Sequence, residues 1–150
     1  MNDQLARATD LTGALAVNVY FLLIIAVFVL RLAGRMEAGR WVGLVSFLAV
    51  VPLAFLLVGA VKTARPPIYF LWVGLAIAFL VGELLVDDIF HVPFRAVTWA
   101  TITYVVIFFA ATGGMIGIAR EAGRWWTAVT VFLFFVMGVL AFVQRGRTGL

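Results

Sequence analysis

The chain contains no cysteine, which excludes disulfides, thiol nucleophiles, thiolate metal sites and quinone-coupled disulfide chemistry. Its one histidine, His91, leaves no second imidazole for a haem held by two histidines of the same chain. Charge is scarce: 12% of the residues are Asp, Glu, Lys or Arg, against 65% that are hydrophobic, and the mean hydropathy is +1.16. A water-soluble domain has no use for that much apolar surface. Lysine is almost missing too, since Lys62 is the only one among 11 basic residues. That arginine bias, with the wealth of Ala, Gly and Val, fits a GC-rich bacterial genome and a bacterial inner membrane as the location. The formal charge of +4 would suggest nucleic acid in a soluble protein. Here the arginines sit at the ends of apolar stretches, where headgroups and topology account for them, so no nucleic-acid partner is expected.

Long apolar runs are what the chain has in abundance. Leu11 to Leu30, Trp41 to Val61, Ile68 to Gly82 with a continuation to about Ile89, Ala96 to Ala119, and Trp125 to Gln144 are uncharged or nearly so. A hydrocarbon core of about 30 Å takes about 20 helical residues to cross, and segments of this length without two-residue alternation satisfy their backbone as helices rather than barrel strands. The sequence predicts one membrane domain over 1–150 with helices at about 11–33, 41–61, 67–90, 95–119 and 125–144. The fold class is therefore an all-α polytopic integral membrane protein with five transmembrane helices. The first run ends at Arg31 and Arg35 instead of a small-residue cleavage site and reads as a signal anchor. The gaps are too short to hold a soluble domain.

The pentapeptide Glu37-Ala38-Gly39-Arg40-Trp41 returns as Glu121-Ala122-Gly123-Arg124-Trp125. At the same offset Ala16 matches Ala100, Tyr20 matches Tyr104, Ala26 matches Ala110, Val45 matches Val129 and Leu56 matches Leu140. An internal duplication follows as an expectation. Three spans separate the copies, and an odd number of crossings would invert the second pair, giving inverted two-helix repeats (helices 1–2 and 4–5) around a central third helix. Basic residues are balanced accordingly, with Arg7, Lys62, Arg65, Arg120 and Arg124 on the N-terminal side against Arg31, Arg35, Arg40, Arg95, Arg145 and Arg147 on the other. No orientation follows from that balance. Gly39 and Gly123 are expected to take the positive φ that ends a turn, and Trp41, Trp99, Trp125 and Trp126 to form an aromatic belt.

In the third span Gly74, Ala78 and Gly82 recur every four residues as a smooth packing strip, while Glu83, Asp87 and His91 recur every four residues on roughly the opposite side. At 3.6 residues per turn those three ionisable groups share an arc of about 80°. Asp88 and Arg95 complete the ion or proton site candidates. A carboxylate such as Glu83, about one turn inside the boundary, costs roughly 2.5 to 3.5 kcal/mol at mid-membrane, falling toward the interface, so something must offset it. Three readings stand side by side: a clamp in which Arg95 pairs with Asp87 or Asp88 across the Pro93 turn, a proton relay between Glu83 and His91, and a divalent cation held by Glu83, Asp87 and His91. No other cofactor is expected.

Among the remaining polar residues, Asn18, Tyr20, Thr101 and Tyr104 are candidates to line a cavity, with Asn18 expected to bond to a neighbouring helix. Pro52 is expected to kink the second span. Gly113 and Gly117 read as a close-packing GxxxG strip in the fourth. No nucleophile stands beside an acid–base group, so no catalytic residue is assigned and an enzyme is not expected. The leading class is a transporter or channel-like protein for a small ion or solute, working as a homo-oligomer in the lipid bilayer. The alternative is a non-catalytic subunit or assembly factor of a larger membrane complex.

Overall fold

The computed structural model describes residues 2–85 and 98–148, and every regular element among them is helical. Helix α1 spans Asn2–Leu32, α2 Met36–Ser46, α3 Val50–Lys62, α4 Pro67–Glu83, α5 Thr98–Glu121 and α6 Arg124–Thr148. A 3₁₀ turn over Phe47–Ala49 joins α2 to α3, so Met36–Lys62 forms one interrupted rod. Among the described residues four rods are long and apolar enough to cross a membrane, and α4 adds a shorter apolar helix of 17 residues. This architecture is compatible with a membrane-embedded protein.

The helix boundaries follow local chemistry. Pro52 has no N–H to offer the Leu48 carbonyl and its ring crowds that oxygen, so the preceding turn tightens to 3₁₀ at Phe47–Ala49. Pro67 opens α4 at a position where no intrahelical donor is needed. Helix α1 begins at Asn2 instead of Leu11, with Asp3 in its first turn, where the helix dipole favours a negative charge. Thr9 is buried in this extension, and a Cβ on Gly59 of α3 would meet its hydroxyl at 2.8 Å. The extension is therefore held by tertiary packing on α3.

The two pentapeptide copies do not share a conformation. Glu121 ends α5, Gly123 turns at φ +120°, and Arg124 opens α6. In the first copy Glu37 to Trp41 lie inside α2 and Gly39 is a buried helical residue. The turn instead falls on Gly34 at φ +78°, where the Arg35 N–H reaches back to the Leu30 carbonyl at 2.9 Å. Gly39 is helical because Gly34 has already ended α1 in the left-handed geometry that glycine adopts without strain.

Packing is uneven between the supposed halves as well. Helix α4 stands between α3 and α5, but the hub of the bundle is α1, which packs against α2, α3, α5 and α6. Helix α1 packs extensively on α6, whereas the contact that two-fold halves would require in return, α5 on α2–α3, is at most marginal. The residues give the reason. Asn18 and Phe21 anchor α1 to α6, while the residues at their repeat positions, Ile102 and Val105, are 59% and 42% exposed.

The core runs through the bundle as Val17, Phe21, Leu53, Leu56, Val73, Ala76, Leu80, Met115, Ile118 and Met137. Outside, Phe55, Val106, Phe132, Phe135 and Phe142 are exposed, as lipid-facing side chains would be. Trp99 and Trp125 stand exposed at helix starts, in the manner of an aromatic belt, and Trp41 is exposed within α2.

Candidate functional site

Of the ionisable residues on and beyond the third span, Glu83 is described, while Asp87, Asp88, His91 and Arg95 lie outside the described residues, as does the Pro93 turn. Helix α4 delivers Glu83 on the face that carries Ala76 and Leu80 into the core, so the carboxylate is half-buried against the bundle. At a rise of 1.5 Å per residue it stands about 24 Å along α4 from Pro67. The Tyr104 hydroxyl of α5 donates to Glu83 Oε1 at 3.0 Å. Tyr20 of α1, buried, lies within electrostatic reach of both Glu83 and Tyr104. Three helices thus converge on one carboxylate, and a π-helical turn follows it at Leu84 and Leu85.

Aromatic rings wall this cluster. Tyr104 meets Phe79 at 5.9 Å between centroids, Phe79 meets Phe108 at 5.6 Å, and Phe108 meets Phe134 at 6.3 Å. Phe134 continues to Phe21 at 6.4 Å, and Phe21 to Tyr20 at 5.7 Å. The chain of rings ties α5, α4, α6 and α1 together and gives Glu83 an apolar flank, where a hydrogen bond to its charge counts for more than in water. Thr101 is half-buried one turn before Tyr104.

Asn18 lies in the α1–α6 interface, 5% exposed. Its amide donates to the Ala14 carbonyl at 2.8 Å, and Thr130 Oγ1 lies 3.0 Å from Asn18 Oδ1 and 2.8 Å from the Trp126 carbonyl oxygen, sharing its one proton between them. A double-mutant cycle of Asn18→Leu and Thr130→Val in thermal unfolding should give a coupling of about 0.6 kcal/mol, rising to at most about 1.7 kcal/mol, as for other hydrogen bonds between membrane helices. Additive losses would mean the contact does not hold the helices together.

The small residues fall out differently from the sequence expectation. Gly117 and Gly114 are buried against Trp72 of α4, with Cβ positions 2.7 Å from its indole and 3.0 Å from its carbonyl oxygen respectively. Gly74, Gly82 and Gly113 have no described atom within 4 Å of where a Cβ would stand, and Gly74, Ala78 and Gly113 are exposed. Helix α4 packs through Tyr69, Val73, Ala76 and Leu80 instead. The tight α4–α5 contact comes from glycine on one helix meeting a large ring on the other, so a small-residue spacing within α4 could not reveal it.

A second polar centre lies at the opposite end of the bundle, formed by Arg65, Asp10 and Glu121, of which only Glu121 belongs to a motif, the repeated pentapeptide. Arg65, between α3 and α4, donates through Nη2 to Asp10 Oδ1 of α1 and through Nη1 to Glu121 Oε2 of α5 at 2.9 Å. Its guanidinium carbon also sits 5.7 Å from the centroid of the Tyr69 ring. Ala64, at φ +50°, aims the chain: it ends α3 in a left-handed conformation, with the Arg65 N–H bonded to the Ala60 carbonyl at 3.0 Å. An open recess of about 540 Å³ adjoins the clamp, lined by Asp3, Arg7, Asp10, Arg65, Glu121, Trp126 and three apolar residues. In the sequence Arg65 is one topogenic charge among several; only folding brings three distant segments to it. Comparison with known protein families, characterised proteins and solved structures finds no match to this chain.

Proposed function

We propose that this is a small multi-pass protein of a cell membrane, bacterial by its composition, that moves a small ion or solute with a proton-linked step at Glu83. The observation that carries the reading is the Tyr104–Glu83 hydrogen bond across α4 and α5, with Tyr20 of α1 close by. A carboxylate on an apolar helix, hydrogen-bonded from a second helix and within electrostatic reach of a buried tyrosine on a third, is the arrangement from which proton relays are built. Tyr104 donates to the charged form, so taking up a proton weakens that contact and loosens α4 from α5. The π-helical turn at Leu84 and Leu85 adds a local departure from regular helix of the kind often found at functional sites. The working unit is a homo-oligomer, since aromatic side chains occupy the space between α1, α4, α5 and α6 in one copy. The repeat is the trace of a duplication whose inverted halves have diverged in packing.

Proton flux into proteoliposomes, followed with an entrapped pH dye, tests the reading. Glu83→Gln should lower the flux at least about tenfold, the scale on which positioned proton carriers act, and Tyr104→Phe should lower it less. The same assay with Mn²⁺, Zn²⁺ and Ni²⁺ outside examines a divalent cation on Glu83, Asp87 and His91. Flux in Glu83→Gln equal to wild type would remove the transport reading. The second reading, a non-catalytic subunit of a membrane complex, is favoured by the exposed Gly74, Ala78 and Gly113. It expects Glu83→Gln to be silent and Gly113→Leu to reduce recovery of a partner.

A further inference from the structure

The recess beside the Arg65 clamp is built of charges of both signs at the level where helices end. Three carboxylates, Asp3, Asp10 and Glu121, face two guanidinium groups, Arg7 and Arg65, with Trp126 on the wall. Arg65 is engaged with Asp10 and Glu121. Asp3 and Arg7, both exposed, have no ion-pair partner among the described residues, although they stand one turn apart on α1. The recess therefore keeps one carboxylate and one guanidinium for something else, and its lining carries one negative charge in excess. Tyr69, against the Arg65 guanidinium at 5.7 Å, is fully buried, and its hydroxyl has no hydrogen-bond partner among the described residues. Arg65 Nε is buried without a partner in the same place.

We infer that this recess binds a zwitterion that pairs an ammonium with a phosphate, and that its source is the headgroup of an aminophospholipid. The ammonium meets Asp3 and the negative excess of the clamp, with the Trp126 ring as a cation–π wall. The phosphate meets Arg7, whose planar fork matches two phosphate oxygens. About 540 Å³ of open volume exceeds what one such headgroup fills, leaving space for bridging water. A lipid is the source because the recess opens at the end of α1 and at the α5–α6 turn, where Trp125 stands exposed and Trp126 half-exposed. That is the depth at which tryptophans accompany headgroups. This site is separate from Glu83 and does not depend on a transport role.

The test is thermal unfolding of the purified protein in a maltoside micelle, titrated with dihexanoyl phosphatidylethanolamine, dihexanoyl phosphatidylglycerol or soluble phosphoethanolamine. Neither Asp3 nor Arg7 takes part in the clamp, so Asp3→Asn and Arg7→Gln keep the bundle intact. The phosphatidylethanolamine should raise the midpoint of wild type and of Glu83→Gln by about 5 °C at saturation. It should raise Asp3→Asn and Arg7→Gln far less, and the phosphatidylglycerol should do little. A rise with phosphoethanolamine equal to that with the lipid would uphold the zwitterion and overturn the lipid source. Equal rises with both lipids, or rises retained in both variants, would overturn the site.

Discussion

Replacing Arg65 with methionine should lower the thermal midpoint by about 5 to 10 °C, the largest loss expected from any single surface-level charge in this protein. Arg65 is the only cation bonded to Asp10 and Glu121 among the described residues, and those carboxylates come from α1 and α5. Without it, two negative charges face each other across a partly dry gap and the α3–α4 connection loses its tie to both helices. Breaking a fully buried pair costs about 3–5 kcal/mol. The side chains here are 16%, 13% and 31% exposed, so water screens the residue of that charge and about 2 to 3 kcal/mol is the better expectation. The decisive comparison is the triple variant Arg65→Met, Asp10→Asn, Glu121→Gln. Having no uncompensated charge, it should recover most of the loss. A single Arg65→Met protein as stable as wild type would mean that the clamp holds nothing.

The second large effect lies in the α4–α5 contact. Gly117→Ala puts a methyl 2.7 to 2.8 Å from the Trp72 indole, and Gly114→Ala puts one 3.0 Å from the Trp72 carbonyl oxygen and 3.1 Å from its Cα. Each should cost about 1 to 3 kcal/mol, as overpacking of a filled interior does. The two should differ in their rescue. Trp72→Leu removes the ring that Gly117→Ala strikes and should restore much of its stability. It leaves the backbone that Gly114→Ala strikes, so that variant should stay destabilised. Gly74→Ala and Gly113→Ala, with open space at the Cβ, should be neutral or gain up to about 1 kcal/mol from helix propensity. If all four substitutions behave alike, the glycines act through backbone propensity and the close approach to Trp72 has no energetic role.

Legibility in the sequence varied with the range of the interaction concerned. The apolar runs mark the helical spans because crossing a bilayer is a demand on one segment at a time. Pro52 is expected to kink its span, and the structure shows a 3₁₀ turn over Phe47–Ala49 just before it, a local effect that reaches only one turn back. The outer ends of α1 and α6 extend beyond the apolar runs, to Asn2 and Thr148, because a helix continues wherever packing or solvent satisfies it. Asn18 shows the limit of such reasoning: a buried amide on an apolar helix implies a partner on another helix, but nothing in the chain names Thr130. Gly114 shows a failure of pattern, since the spacing favours Gly113 and Gly117 while the rotation of α5 turns Gly113 outward.

The pentapeptide repeat separates the two levels most clearly. Identical residues at 37–41 and 121–125 form a helix interior in one place and a turn in the other, because Gly34 has already terminated α1 before the first copy begins. By itself the sequence determined the helical class and the order of apolar spans, both of which follow from hydrophobicity, length and backbone hydrogen bonding. Tertiary structure alone decided that α1 is the hub, that Tyr104 and Tyr20 gather at Glu83, and that Arg65 ties Asp10 to Glu121. Those outcomes depend on the rotation of each helix about its axis. That rotation is set by the fit between side chains far apart in the chain, such as Trp72 against Gly117 and Phe21 against Phe134.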